Sequence, residues 1–322
     1  MKSQNKKFNV VSTFAGCGGS SLGYTLAGGK VLLAVEWDDN AVESYRANFP
    51  NTPIFHGDIK NLTVEKVLET IKLKPYELDI LDGSPPCQGF SISGKRDFCD
   101  LKNQLYNEYI RLLKGLMPKT FIMENVKGML QGNMKLIFKD ILTQLKKAGY
   151  NVQVKLMNSQ WYNTATSRER VIFIGVRKDL HIKPSHPKPS HKPITVKEAL
   201  KNIKPTEIRY SGNPKVRYWL RKTKPGESIA KNHPNNTYFN YRKIDINKPC
   251  PTITRTGSDQ YFMPNNRIVT VNELKVLQSF PPDYILKGTE EQQHSRVGNS
   301  VPPQLMKHIA THVYENILQK IS

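Results

Sequence analysis

Along the first 180 residues, short β-rich apolar runs alternate with segments whose apolar positions return every three or four residues. FNVVSTF (8–14) meets a glycine turn and then SSLGYTLAGG. KVLLAVEW (30–37) leads into DDNAVESYRANF, where Asp38 or Asp39 is placed to cap a helix. PIFHGDI precedes TVEKVLETIK, and LDILDGSP precedes a helical segment from about Asn103 to Leu116. TFIMENV (120–126) precedes KLIFKDILTQLKKAG. The last two runs, YNVQVKLMN and RVIFIGVRK, have only a loop between them and read as antiparallel neighbours. Five strand-then-helix units predict an α/β fold, a mainly parallel sheet with helices on both faces. Ligands of such sheets collect beyond the carboxyl ends of the strands, where STFAGCGG, EW, GD, GSPPC and ENV all fall.

After about Leu180 the texture changes. HIKPSHPKPSHKPITVK reads as a solvated linker. Residues 181–248 hold 16 Lys or Arg against 4 Asp or Glu, a local charge of +12. Tyr210, Tyr218, Trp219, Tyr238, Phe239 and Tyr241 are interleaved with them, the composition of a module that faces nucleic acid. Helical patterning returns from Thr270 in VNELKVLQSF and PPQLMKHIATHVYENILQK, separated by SRVGNSVPP. The whole chain of 322 residues carries 48 basic and 27 acidic side chains, a formal charge of +21, which favours a polyanionic partner.

No apolar run is long enough for a membrane span and the start MKSQNKKFNVVSTF lacks a signal-peptide core, so a cytoplasmic protein is expected. The four cysteines (Cys17, Cys87, Cys99, Cys250) show no CxxC spacing. They read as reduced thiols without a metal site.

The chemistry concentrates at the strand ends. FAGCGGSSLG (14–23) is a glycine loop opening a helix, suited to close approach of a nucleotide, but Ser21 breaks the dinucleotide fingerprint. Glu36 ends the next strand, where a carboxylate can accept both ribose hydroxyls, and Trp37 beside it offers a stacking surface. Cys87 follows two prolines that fix its backbone direction, and SISGKR follows as a loop with little to bury. A rigid nucleophile with a flexible flap suits a site that opens for a large substrate. Glu124 in ENV is placed to hydrogen-bond a ring nitrogen of a heterocycle. Arg168 and Arg170 in TSRERV have alternate spacing, so on a strand they face one side. GNS in RVGNSVPP precedes a proline-started helix and presents polar groups to a ligand.

Taken in order, FAGCGG, EW, GDI, PPCQGFSISGK, ENV, SRERVIFIG, a variable basic region, RIVTVNELKVLQSFP and VGNSVPP resemble the C5 cytosine DNA methyltransferases over nearly the whole chain. The resemblance implies a Rossmann-like S-adenosylmethionine-dependent catalytic domain over residues 1–180. It further implies a small target-recognition domain over 181–266, and a segment, 267–322, returning to the catalytic domain. By matching positions it implies cofactor contacts from Phe14, Cys17, Gly19, Glu36, Trp37, Asp58, Ile59, Leu105, Asn299 and Ser300. It makes Cys87 the nucleophile, Glu124 the ring-nitrogen partner, Arg170 the contact to the cytosine carbonyl and Arg168 an aid to their positioning. The implied partner is double-stranded DNA bound by a monomer, with no metal and no membrane, and with a cognate restriction endonuclease acting on the same site. The chain departs from the family block Gln-x-Arg-x-Arg, because Thr166 stands in the glutamine place. Two alternatives stay open at this level: an RNA cytosine-5 methyltransferase of the same fold, and a non-catalytic DNA-binding relative.

Overall fold

A computed structural model describes residues 7–86, 105–132, 134–205, 207–257 and 260–321. The chain divides into two compact units. The first gathers Met1–Met157, Glu169–Lys188 and Met306–Ser322, and the second Asn158–Arg168 and Pro189–Leu305.

In the first unit, β1 (Phe8–Thr13), β2 (Gly29–Glu36), β3 (Ile54–His56), β4 (Ile80–Gly83) and β5 (Thr120–Val126) form the parallel part of a seven-stranded sheet. With β6 (Tyr150–Asn158), β7 (Thr166–Ser167) and β8 (Glu169–Arg177) following in the chain, the sheet order is β3-β2-β1-β4-β5-β8-β6. The two last long strands are neighbours, as expected where no crossover helix separates them, and β8 runs antiparallel to β5. Strand order reverses between β1 and β4, which opens the crevice where open α/β sheets bind ligands.

Local chemistry explains the helices. Helix α1 (Gly19–Leu26) begins after Gly18, whose φ of 97° is left-handed and whose lack of a side chain leaves the helix N-terminus uncapped. Helix α2 (Asp39–Asn48) is capped by Asp38, which accepts from the Ala41 N–H, settling the choice between the two aspartates. Thr63 caps α3 (Val64–Ile71) in the same way, and α4 (Leu105–Leu116) and α5 (Met134–Lys147) complete the unit's layered helices before the C-terminal segment. Tyr109, Leu112, Leu116, Phe121, Ile141 and Phe173 meet in its main core.

The second unit has short elements: α6 (Val196–Ala199), α7 (Pro214–Lys222), β9 (Arg242–Lys243), β10 (Cys250–Pro251), β11 (Tyr261–Phe262), α8 (Val271–Leu277) and α9 (Glu290–Asn299). Its two clusters are built on Ile253, Tyr261 and Leu274, and on Val216, Leu220 and Phe262. Thr270 and Glu273 close a capping box on α8, and Arg267 grips the Glu273 carboxylate with two N–H groups, at 2.8 and 2.6 Å. Helix α10 (Pro303–Asn316) carries the chain back into the first unit from Met306.

The expected solvated linker is only partly that. His186 and Pro187 are buried in the first unit. The His186 Nε2–H donates to the Ile172 carbonyl (2.9 Å), and Nδ1 lies 2.7 Å from the Gln153 amide. Burial holds this imidazole neutral, its pKa lowered to about 4. Composition marked the segment as polar, but a polar ring with two partners packs as well as an apolar one.

Candidate active site

The ends of β1, β2 and β3 converge on Glu36. Its carboxylate, 8% exposed, accepts the N–H of Gly16 at 2.7 Å, of Trp37 at 2.9 Å and of Asp38 at 3.0 Å. The glycine loop is thereby tied to the end of β2, and the Gly57 N–H donates to the Glu36 carbonyl, which brings in Asp58 and Ile59. Phe14 sits at φ 55°, and with Ile59 and Leu105 it packs onto the main core. Cys17 and Gly19 are buried, Asp58 is exposed, and the Trp37 ring is 75% exposed beside Glu36. Seven of these residues thus line one end of the sheet, and Leu105 joins them through the core. Asn299 and Ser300 belong to the second unit.

A second cluster stands at the ends of β5 and β8. In the antiparallel register Val126 lies opposite Arg170 and Glu124 opposite Ile172, so Arg170 and Glu124 are diagonal neighbours on one face. They form an ion pair at 2.7 Å with both side chains nearly buried (12% and 9% exposed). Burial lowers the Arg170 pKa and the Glu124 carboxylate opposes that shift. Beside Glu124, the Asn125 amide donates to the Pro85 carbonyl at 3.1 Å, joining β5 to the Ser-Pro-Pro turn after β4. Cys87, two positions further along the chain, lies outside the described residues.

Arg168 has different company. The strand breaks between Ser167 and Glu169, and Arg168 falls at that break in the second unit. Its guanidinium donates to the carbonyls of Ile253 (2.9 Å) and Asn299 (3.5 Å), and the side chain is fully buried. Thr166, in the place of the family glutamine, donates to Gln278 Oε1 at 3.2 Å. The Gln278 amide donates in turn to the carbonyls of Ser300 (3.0 Å) and Val297 (3.4 Å). This buried network holds the Gly298-Asn299-Ser300 turn, where only glycine fits at 298 because a Cβ would stand 2.2 Å from the Thr254 carbonyl oxygen.

Sequence reasoning passed over Asp82 and Asn125. Asp82 lies in β4 two residues before Ser84 and is 2% exposed. It accepts from the hydroxyls of Ser12 (2.8 Å) and Tyr24 (2.9 Å), pinning β4 to β1 and α1. An acid inside the apolar run LDILDG was the available signal, since buried carboxyls need partners. Burial raises its pKa to about 7, against the pull of the two hydroxyl donors, and the Glu124 charge pushes it further up. In the unfolded chain an aspartate ionises near 3.9. The folded state therefore keeps a proton that the unfolded state has lost; this contribution is complete below the unfolded value and disappears as pH rises through about 7. From pH 5 to 8 the native protein is expected to lose on the order of 3 kcal/mol relative to Asp82→Asn, read from urea midpoints. Parallel pH profiles for the two proteins would refute the assignment.

Among the described residues no group of three or more His, Cys, Asp or Glu side chains is arranged to hold a metal ion, and no helix is long and apolar enough to cross a membrane. Cys250 is a buried thiol whose pKa burial raises to about 12, an unreactive core residue.

A glycine loop at the switch point of an open α/β sheet, with a buried acid–arginine pair at the neighbouring strand ends, marks the place where proteins of this fold class bind ligands. Comparison with known proteins narrows the class. The family described as C-5 cytosine-specific DNA methylase matches residues 8–315. Type II methyltransferase M.Sau96I of Staphylococcus aureus is 33% identical over 330 residues, covering 95% of this chain and 75% of that one. M1.HphI of Haemophilus parahaemolyticus is 32% identical, covering 93% and 85%. A crystal structure of an E. coli prophage-encoded protein assigned as a DNA modification methyltransferase superposes with a TM-score of 0.75 at 28% identity, covering 97% and 99%. The chain belongs to the C-5 cytosine-specific DNA methylase family, enzymes that transfer a methyl group to cytosine C5 in DNA.

Proposed function

We propose that this methyltransferase takes its methyl group from S-adenosylmethionine and places it on a flipped-out cytosine of a specific duplex sequence. The observation that carries the reading is the buried Glu124–Arg170 pair, joined through Asn125 to the turn that precedes Cys87 in the chain.

The strand ends around Glu36 fit an adenosine-containing ligand. The N-terminus of α1 has no side-chain cap, and among the described residues nothing lies within 4 Å of where a Cβ on Gly16 would project. Glu36 would hold the ribose through the acceptor capacity its three N–H donors leave over, Trp37 would stack on the base and Asp58 would face the adenine amino group. Phe14, Cys17, Gly19, Ile59 and Leu105 would shape the pocket, and Asn299 and Ser300 are proposed as cofactor contacts on their match to the family's motif alone. When bound, the sulfonium supplies an electrophilic methyl group for a carbon nucleophile.

The protein's task is to make that nucleophile. Cytosine C5 is unreactive because its density is delocalised around the ring. The Cys87 thiolate adds to C6, forming a carbon–sulfur bond and concentrating density at C5. Glu124 shares a proton with N3 and Arg170 donates to the ring carbonyl, so charge developing on the ring meets a proton and a cation already in place. With the methyl donor left as its neutral thioether, C5 gives up its proton to water, the carbon–sulfur bond breaks, the thiolate leaves and the ring regains its conjugation. Arg168 would act within its own unit, where it holds the Ile253 and Asn299 carbonyls. The target atom is hidden in a duplex, so the base is turned out at a cost of a few kcal/mol of unstacking, which phosphate contacts from the basic chain offset.

Residues 181–266 are assigned to target recognition, and protection of DNA beside a cognate endonuclease is the biological role, as the type II relatives suggest. Transfer of labelled methyl from S-adenosylmethionine to duplex DNA and to transfer RNA tests the substrate. Duplex DNA is expected to be labelled at least about 100-fold faster. Equal or faster labelling of RNA would replace this reading with that of an RNA-modifying enzyme.

A further inference from the structure

Phe239 is the most exposed phenylalanine among the large apolar residues that the second unit leaves in solvent, at 67%. Such exposure stands out beside the neighbouring rings of its own loop, which pack on one another. Trp219, His233, Tyr238, Tyr241 and Phe262 form a continuous train with centroid separations of 5.0, 5.5, 5.3 and 6.2 Å, ending on fully buried Phe262. Phe239 sits between two members of that train and takes no place in it.

The loop that carries it is built to stay in one shape. The Ser228 hydroxyl reaches the carbonyls of Phe239 (2.7 Å) and Tyr238 (3.3 Å), and the Tyr241 N–H closes on the Tyr238 carbonyl at 2.9 Å. Thr237 and the Asn235 N–H both bond the His233 ring, and Ile229 N–H donates to the Tyr241 carbonyl. Asn236 and Tyr238 are held at φ 50° and 64°, left-handed values that a tyrosine adopts only when its surroundings impose them. The apolar tip is thus prepaid in backbone entropy and stands in a region of +12 charge, where Lys222 lies 4.4 Å over the half-exposed Tyr218 ring.

A rigid exposed ring within a cationic surface matches one ligand: stacked bases inside a polyanionic backbone. We propose that Phe239 enters the DNA and stacks on a base, acting as the wedge that holds the deformed duplex on the second unit. The inference rests on the reading that residues 181–266 bind DNA, and adds to it the residue that touches the bases.

The experiment uses the full chain and a duplex of a genomic sequence found methylated by bisulfite sequencing, with 2-aminopurine at successive positions as a stacking reporter. Phe239→Ala is expected to weaken duplex binding by about fivefold to 100-fold, the range of one lost base–aromatic stack. Phe239→Trp is expected to restore binding and Phe239→Leu to restore little, because leucine has no π-face. Besides the signal at the flipped base and its neighbours, which both proteins should give, the parent should change 2-aminopurine fluorescence at one further position and Phe239→Ala should not. Unfolding temperature and S-adenosylmethionine binding should be unaltered, as expected for so exposed a ring. Arg221→Ala/Lys224→Ala separates the two readings. If this pair weakens binding and Phe239→Ala does not, or Phe239→Leu binds as the parent does, stacking of Phe239 on a base is refuted and DNA binding by the unit stands. If neither set weakens binding, both fall.

Discussion

Cys87→Ala is expected to abolish methyl transfer, by more than about 1000-fold, while S-adenosylmethionine affinity measured by calorimetry stays within about twofold. The asymmetry follows from the proposed chemistry. Without a thiolate at C6 the pyrimidine keeps its delocalisation and C5 has no density to give, yet the proposed adenosine site around Glu36 rests on backbone donors at the ends of β1 and β2. A duplex carrying 5-fluorocytosine makes the same point by covalent trapping. Fluorine cannot leave as a proton does, so the native enzyme should remain bonded to the base through denaturing electrophoresis and Cys87→Ala should not. A loss of cofactor affinity as large as the loss of rate would contradict the nucleophile assignment and make the residue part of the cofactor pocket.

The second large effect concerns the pair that the sheet register brings together. Glu124→Gln is expected to lower kcat about 100- to 10,000-fold, the span of general acid–base contributions, with little change in duplex affinity. Arg170→Ala should do more than remove the proposed substrate contact. It leaves the buried Glu124 carboxylate without its counter-ion, a situation that costs about 3–5 kcal/mol. Arg170→Ala is thus expected to lower both kcat and the denaturant midpoint, and Glu124→Gln/Arg170→Met to recover the midpoint without recovering turnover. If the double variant were as unstable as Arg170→Ala, the buried charge would not be the source of the instability.

Both predictions depend on how far the residues could be read before folding. Alternation of apolar runs with helical periods is a local property, so the strand-then-helix units, a helix cap at Asp38 or Asp39 and the location of FAGCGG, EW, GD and ENV at strand ends were visible in the chain itself. Partnership across the sheet is not local. Asp82 meets Ser12 from 70 residues away because β1 and β4 are adjacent in an order that apolar patterning leaves open. The alternate spacing of Arg168 and Arg170 promised one shared face, but that rule holds only within an unbroken strand. Here the break before Glu169 sends one arginine to the Ile253 and Asn299 carbonyls and the other to Glu124.

The same division governs the basic region. Its charge and its aromatic residues pointed to nucleic acid, since counterion release depends on composition. Which ring is kept for a partner depends on three-dimensional contacts: Tyr238 and Tyr241 close on each other while Phe239, between them, is turned to solvent. His186 shows the reverse case, a polar residue of a proline-rich segment drawn into the interior by two hydrogen bonds. The chain's own pattern determined the α/β class and the chemical types gathered at the strand ends, because periodicity and residue chemistry are written position by position. The pairing of Glu124 with Arg170, the buried Asp82 and the exposed Phe239 were decided only by tertiary structure, because each depends on which distant segment packing places alongside.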